Sequence, residues 1–227
     1  MLGVVIISGG MDSVTLAYHL KDHYPKHDFH YLSFDYGQRH VKELEFAGQC
    51  ARDLGARWDV INLAEVGLLF AGNGSQSSLI NNSVDVPHGH YEAETMKATV
   101  VPNRNMIMLS IAAGLAVAEK ADFVAAGMHS GDHAIYPDCR WEFLSVLDHA
   151  INLGNEGFCQ PEFGLHAPFV NMTKADIASL GDDLGVDWTK TWSCYEGGEL
   201  HCGKCGTCTE RREAFSLAGI VDPTEYA

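Results

Sequence analysis

Apolar residues along this chain gather into short runs separated by helical patterns. "LGVVII" at 2–7, "DFHYLSFD" at 28–35, "RWDVINL" at 57–63 and "DFVAAGM" at 122–128 have strand length and strand composition. Between them, residues 12–24, 39–54 and 103–120 carry apolar residues at helical spacing. Strands alternating with helices of this length pair in parallel through right-handed crossovers, which predicts an α/β domain with a three-layer, Rossmann-like parallel sheet. From Met106 to Val117 apolar residues cover nearly the whole circumference, so that helix is expected to be buried on most sides.

Two stretches break the alternation. Residues 64–101 are rich in Gly, Ser and Asn and hold no sustained period. A connection this long within a compact domain is commonly functional or mobile, so a lid or substrate loop stands beside a plain surface excursion. After residue 188 the pattern changes to Cys- and Gly-rich turns that close with the helix-like "CTERREAFSLAG". The expected organisation is a main domain over 1–188 and a small segment, 189–227, packed on it.

Charge and composition narrow the function. The 227 residues include 15 basic and 30 acidic side chains, a net charge of −15. Broad binding to nucleic acid draws on Lys and Arg that displace counterions from phosphates, so this balance argues against a nucleic-acid partner. No apolar run reaches about 18 residues, and "MLGVVIISGG" lacks the basic flank and cleavage site of a signal peptide. The chain therefore reads as cytoplasmic, without a membrane association. Four of its 7 cysteines crowd into 194–208, which favours metal ligation in a reducing compartment over a disulfide framework.

The first strand runs into "SGGMDS" at 8–13 and then into a helical pattern. Backbone N–H groups of a Gly-rich turn opening a helix form a nest for anions. Ser8 and Ser13 add hydroxyl donors, and Gly9 and Gly10 let phosphate oxygens approach the main chain. Neither the Walker lysine nor the GxGxxG spacing is present. The plain alternative is a tight turn capped by Asp12. A cation is missing locally. "TKADIASLGDDLGV" at 173–186 begins with Thr173 and Asp176 in a variant of the capping box, and places Lys174 in a first helical turn, where a surface position is the ordinary reading.

Cys194, Cys202, Cys205 and Cys208 form C-x7-C-x2-C-x2-C. The interposed Gly203 and Gly206 allow turns tight enough to bring four thiolates to one tetrahedral ion, and a closed four-thiolate zinc site is structural. An iron–sulfur cluster is the competing reading, but no C-x3-C-P follows. Lys204, Arg211 and Arg212 are placed to offset the negative charge of such a centre. Cys50 reads as a packed core thiol, Cys139 as a packed thiol before a nucleophile, and Cys159 has no assigned role.

"GMHSGDHAIYPDCRWEF" follows a predicted strand at a carboxyl end, where open α/β sheets bind ligands. Its Asp132, Tyr136, Asp138 and Arg140 suit a polar bicyclic base, with carboxylates accepting from ring N–H groups and an aromatic ring stacking. His129 and His133 have a helical metal-ligand spacing, which Gly131 and Pro137 argue against. Asn103, Arg104 and Asn105 open the third helix onto the same crevice, where Asn103 alternatively caps the helix. Asp35, Gln38 and Arg39 close the second strand on its rim. Arg39 or Arg104 can stabilise charge on an anionic intermediate.

"SGGMDS" resembles the pyrophosphate-binding loop of the ATP pyrophosphatase (PP-loop) superfamily, whose fold is adenine nucleotide alpha hydrolase-like. "SFDYGQRH" at 33–40, "VPNRN" at 101–105, "YPDCR" at 136–140 and the cysteine cluster resemble those of the 7-cyano-7-deazaguanine synthase family, over about residues 4–216. The resemblance implies ATP-dependent conversion of 7-carboxy-7-deazaguanine and ammonia to 7-cyano-7-deazaguanine through adenylated intermediates, for queuosine biosynthesis. It implies ATP and magnesium at Ser8, Gly9, Gly10, Met11, Asp12, Ser13, Val14, Thr15 and Lys174, one structural zinc, and a homodimer. Asp12, Lys174, Arg39 and Arg104 are the expected catalytic residues. Where the family motif usually has Gly, this chain has Asn103. A variant that stops at the amide and a PP-loop enzyme that modifies tRNA remain as alternatives.

Overall fold

The structure is a computed structural model and describes residues 1–91 and 94–227. Five parallel strands form one sheet in the order β3-β2-β1-β4-β5: β1 (Leu2–Ile6), β2 (Asp28–Asp35), β3 (Arg57–Asn62), β4 (Phe123–Ala125) and β5 (Gly164–His166). The helices are α1 (Met11–His23), α2 (Glu43–Leu54), α3 (Ala64–Gly72), α4 (Arg104–Glu119), α5 (Trp141–Gly154), α6 (Lys174–Asp183) and α7 (Gly206–Ala218).

The strand pleat sorts side chains into two cores, one per face. Val4, Leu32, Phe34 and Val124 point toward α4 and α5, while Val5, Phe29, Tyr31, Phe123 and Ala125 pack with residues of α1, α2, α6 and α7. This is the predicted three-layer arrangement. The chain reverses direction across the sheet between β1 and β4, so their carboxyl ends flank a topological switch point.

Several expectations are corrected. Only Leu109, Ala112, Ala113 and Ala116 of α4 are buried, and Met106 is 38% exposed, because one face meets the sheet and the other leaves the core. The helix expected over 39–54 begins at Glu43, after turns set by Gly37 at φ 76°. The long connection at 64–101 contains α3 and a 3-10 turn at Glu94–Thr99; Glu92 and Ala93 of it lie outside the described residues. Arg211 does not face the cysteines: it is fully buried, donates to Trp188 O at 3.1 Å and Thr191 Oγ1 at 2.8 Å, and pairs with Asp222. Among the described residues no helix is long and apolar enough to cross a membrane.

Candidate active site

A cavity opens at the switch point, lined by the turn after β1, the turn after β4, the start of α4, Lys174 and part of the cysteine-rich segment. The β1–α1 turn is closed from within. Ser13 Oγ accepts from Ser8 N and Gly9 N, each at 3.2 Å, and donates to Gly10 O at 3.1 Å, while Ser8 Oγ accepts from Gly10 N at 3.3 Å. Gly10 occupies the N-cap with no side-chain cap, so Asp12 is a first-turn residue and the alternative that Asp12 caps the helix fails. Ser8, Gly10, Met11, Asp12 and Ser13 line the cavity. Gly9, Val14 and Thr15 do not: a Cβ on Gly9 would lie 2.2 Å from Glu43 O, and Val14 and Thr15 face the core.

The missing cation arrives from α6. Thr173 and Asp176 form a reciprocal capping box, and Lys174 Nζ sits 2.6 Å from Asp12 Oδ2, 3.3 Å from Glu210 Oε2 and 3.2 Å from His129 Nε2. Burial alone would raise the Asp12 pKa, but the Lys174 ammonium and His129 outweigh it and hold the carboxyl below its ordinary value. Burial pushes the Glu210 carboxyl up. Lys174 is held charged, since Asp12 and Glu210 more than offset its own desolvation.

Beyond the phosphate-sized end, Tyr36, Tyr91, Tyr136 and Tyr195 build aromatic walls around Arg104. The guanidinium lies 6.0 Å from the Tyr36 ring centroid and 5.8 Å from that of Tyr136, a cation–π arrangement that fixes it facing the cavity. Asn105 reaches the wall and donates to Cys139 Sγ at 3.2 Å. Asp132 accepts from Tyr91 OH at 3.1 Å. The thiol of Cys139 is pushed well up, chiefly by burial, which makes it a poor nucleophile.

Six residues expected at the substrate lie off the cavity wall. Arg39 points the other way, donating to Val84 O at 3.0 Å and approaching Glu196, so of the two candidate arginines the cavity holds Arg104. Asp35 is taken up by Gly37 N at 3.0 Å. Gln38 is buried behind the wall between Phe34 O and Glu43 Oε1. Asp138 accepts from Asn105 N at 3.2 Å, satisfying a free N–H at the start of α4. Arg140 donates twice to His133 O. Asn103 makes no side-chain cap; at φ 59° it holds the left-handed conformation that suits glycine and that asparagine tolerates. His129 and His133 do not converge on a metal: His129 opens a 3-10 turn and faces Lys174.

The sequence reading missed His40, Glu43, Trp192, Tyr195 and Glu210, and weighed His129 only as a metal ligand. Glu43 stands three residues after His40 in "QRHVKEL", an extension of a stretch already singled out. Glu210 stands two residues after Cys208, on the face that α7 turns to Lys174.

The four cysteines come together, with one sulfur from each within 4.8 Å of all the others. Gly203 at φ 69° makes the turn between the first two of the closely spaced three. Backbone N–H groups of Lys204 and Cys205 point at Cys202 Sγ at 3.4 and 3.2 Å, and Cys202 N points at Cys194 Sγ at 3.3 Å. N–H groups directed at sulfur stabilise thiolates, so the donor set fits a metal ion, and none of the four cysteines lines the cavity. Trp192 N donates to Gly9 O at 2.9 Å, tying this segment to the β1–α1 turn.

A five-stranded parallel sheet of this order, with a Gly-rich turn at its switch point and a lysine delivered from a later helix, is the architecture of the adenine nucleotide alpha hydrolase-like α/β fold. Solved structures agree on the fold. NMN synthetase from Francisella tularensis superposes with a TM-score of 0.53 at 15% identity, over 96% of this chain and 77% of that one. The U34-tRNA thiolase NcsA from Methanococcus maripaludis gives 0.52 at 15%, over 99% and 78%. The chain belongs to the family of queuosine biosynthesis protein QueC, whose model matches residues 3–219. It is 53% identical over 230 residues to the 7-cyano-7-deazaguanine synthase of Rhizobium meliloti (strain 1021), covering all of this chain and 92% of that protein. The protein of the same name from Sinorhizobium fredii (strain NBRC 101917 / NGR234) is 52% identical over 227 residues, with the same coverage.

Proposed function

We infer that this chain is a 7-cyano-7-deazaguanine synthase in queuosine biosynthesis, an ATP-dependent carbon–nitrogen ligase acting on 7-carboxy-7-deazaguanine and ammonia. The observation that carries the reading is one cavity with two ends: the Gly-rich turn that opens α1 with Lys174 at one, and Arg104 among tyrosines at the other. A carboxylate is a poor acyl donor. Held in line with the α-phosphate of ATP, its oxygen displaces pyrophosphate and becomes an acyl adenylate, and ammonia then displaces AMP to give the amide. A second adenylation, on the amide oxygen, lets that oxygen depart as the nitrile forms.

The protein's share is position and charge. Ser8, Gly10, Met11, Ser13 and Lys174 hold the phosphates, with Asp12 directing magnesium or the lysine. Arg104 faces the substrate carboxylate, Tyr36 and Tyr136 enclose the bicyclic base, and Asn105 and Asp132 contact its polar edge. Gly9, Val14 and Thr15 shape the loop from behind. Asp35, Gln38, Arg39, Asn103, Asp138 and Arg140 support the wall without contacting the base. The four cysteines hold one zinc ion, which supplies a structural cross-link. A homodimer fits Val146 and Leu153, one helical face of α5, which are 70% and 67% exposed.

Mass spectrometry of a reaction with 7-carboxy-7-deazaguanine, an ammonium salt, ATP and magnesium tests the reading. Nitrile from the wild type and neither nitrile nor amide from Lys174→Ala is the expected result. Accumulation of amide alone would assign a shorter reaction, and no pyrophosphate from folded, zinc-loaded protein would refute the synthase.

A further inference from the structure

Glu43 lines the cavity, yet none of the steps above employs it. It stands in the first turn of α2, and its carbonyl oxygen is the atom that leaves Gly9 no room for a Cβ. Glu43 therefore lies against the back of the phosphate loop, with its side chain on the cavity wall. That side chain is 13% exposed. Oε1 accepts from Gln38 Nε2 at 3.1 Å and lies 3.6 Å from His40 Nε2. Gln38 is itself fixed, donating to Phe34 O at 3.0 Å and accepting from Tyr36 N at 2.8 Å. Among the described residues no donor reaches Oε2. One carboxylate oxygen is thus anchored and the other is left to the cavity.

The charged and titratable neighbours are few. Arg104 from α4 interacts with Glu43 electrostatically, as does Tyr36, and His40 is held neutral, since burial and Arg104 push its pKa down to about 3. Burial raises the Glu43 carboxyl to about 8, with the Gln38 hydrogen bond and Arg104 opposing. A carboxyl so tuned exchanges its proton near neutrality, as a general base requires. The reaction needs such a group. Ammonia attacking an acyl adenylate must lose a proton, and Arg104 and Lys174, which line the same cavity, are cations that cannot accept one.

Resting on the synthase reading, we propose that Glu43 is a catalytic residue, the proton acceptor for the nitrogen nucleophile. As the nitrogen bonds to the acyl carbon and the bond from that carbon to the AMP oxygen breaks, Glu43 Oε2 takes one proton from the nitrogen, leaving the neutral amide and AMP. The proton then passes to solvent. In the second half, adenylation of the amide oxygen leaves a protonated imidate bearing two hydrogens on nitrogen. One goes to solvent and one to Glu43 as the carbon–nitrogen triple bond completes and the oxygen departs with AMP. Anchoring by Gln38 gives that residue, absent from the wall, a positioning role.

The test separates adenylation from amination in Glu43→Gln, after its zinc content and thermal midpoint match the wild type. Substrate-dependent exchange of pyrophosphate into ATP should persist within about threefold, while amide formation from ammonia falls by about 100-fold or more. Hydroxylamine, a weakly basic nucleophile whose proton water can remove, should give hydroxamate with the variant at a rate within about tenfold of wild type. Measured at constant free ammonia, the wild-type rate should rise with a limb near pH 8 that the variant lacks. Equal losses with ammonia and hydroxylamine, loss of exchange, or full amination by the variant would each overturn the role of Glu43. Absence of exchange in the wild type would instead refute the synthase reading on which it rests.

Discussion

Replacing Lys174 with Met keeps the length of the side chain and removes its charge. In the wild type the ammonium lies 2.6 Å from Asp12 and 3.3 Å from Glu210, and the three side chains are 15%, 22% and 11% exposed. Removing one partner of a largely buried pair costs about 3–5 kcal/mol, because the partner's charge stays behind uncompensated. With about a fifth of Asp12 in solvent, the lower end applies, about 3 kcal/mol. For a chain of this size that lowers the thermal midpoint by about 6–12 °C.

The pH dependence carries a sign. The wild-type Asp12 pKa is depressed, so its stabilisation is present above the unfolded value and disappears only as pH falls through the lower folded one. The Lys174 pKa is raised, so its stabilisation is full below the unfolded value and is lost as pH climbs through the folded one. Between about pH 5 and 9 the pair's contribution is therefore flat. Glu210, with a raised pKa, acts oppositely and stabilises the fold less as pH rises through its window. In Lys174→Met the carboxylates of Asp12, Glu210 and Asp132 face one another without the cation, and at least one gains a proton at lower pH. The deficit measured by circular dichroism should thus shrink from pH 8 to pH 5, by up to about 1.4 kcal/mol for each unit the carboxyl pKa has risen. Adding Asp12→Asn should restore part of the loss, since neighbours in one ion cluster are not additive. A deficit that is absent, or the same at both pH values, would refute the reasoning.

Three other perturbations follow from single contacts. Gly9→Ala places a Cβ 2.2 Å from Glu43 O and 2.7 Å from Ala47 N at a residue with φ 87°; a loss of about 2 kcal/mol or more by thermal melting and loss of pyrophosphate exchange are expected. Asn103→Gly relieves a side chain at φ 59° and should leave stability unchanged or raise it by up to about 1 kcal/mol, whereas Asn103→Ala should lower it. Cys208→Ser should abolish stoichiometric zinc, read by atomic absorption, and lower the melting temperature, because metal binding to a closed thiolate site is folding free energy.

The sheet was legible because its signals are local and repeated: apolar runs at β1, β2 and β3 alternate with helical spacing. β5 was not, since the three residues Gly164–His166, set between Pro161 and Pro168, give no period to read. The loop 64–101 concealed α3, whose "AEVGLLFAG" has apolar residues but no preferred face and only Gly67 buried. The two ends of the cavity were legible for different reasons. Ser8 to Ser13 sit at a helix start, where backbone geometry constrains what the turn offers, whereas Lys174, whose plain reading is a surface lysine, was placed at the site only by the family resemblance. Arg39 and Asp35 misled because a strand's carboxyl end places a residue near the crevice without orienting it. Gly37 at φ 76° turns the chain after β2, and Arg39 leaves toward Val84 and Glu196.

Lys174 also explains why the cysteine-rich segment is more than an appendage. α7 begins at the cysteines, with Cys205 as its N-cap and Cys208 in its first turn, and two residues later carries Glu210 to within 3.3 Å of Lys174. Arg211, the next residue, is buried against Trp188 O, Thr191 and Asp222, and Ala214 and Phe215 enter the core beside α1 and α6. The helix is thus held at its start by the cysteine cluster and along its length by packing, and Glu210 is aimed toward the site by both. A shift of α7 on disruption of the cysteine cluster would leave Lys174 with Asp12 and His129, and would loosen the Trp192 bond to Gly9 that backs the β1–α1 turn. Zinc removal should therefore weaken ATP binding before the sheet itself melts, because the bonds that tie the cysteine-rich segment to the loop give way first while the strand ladder stays intact.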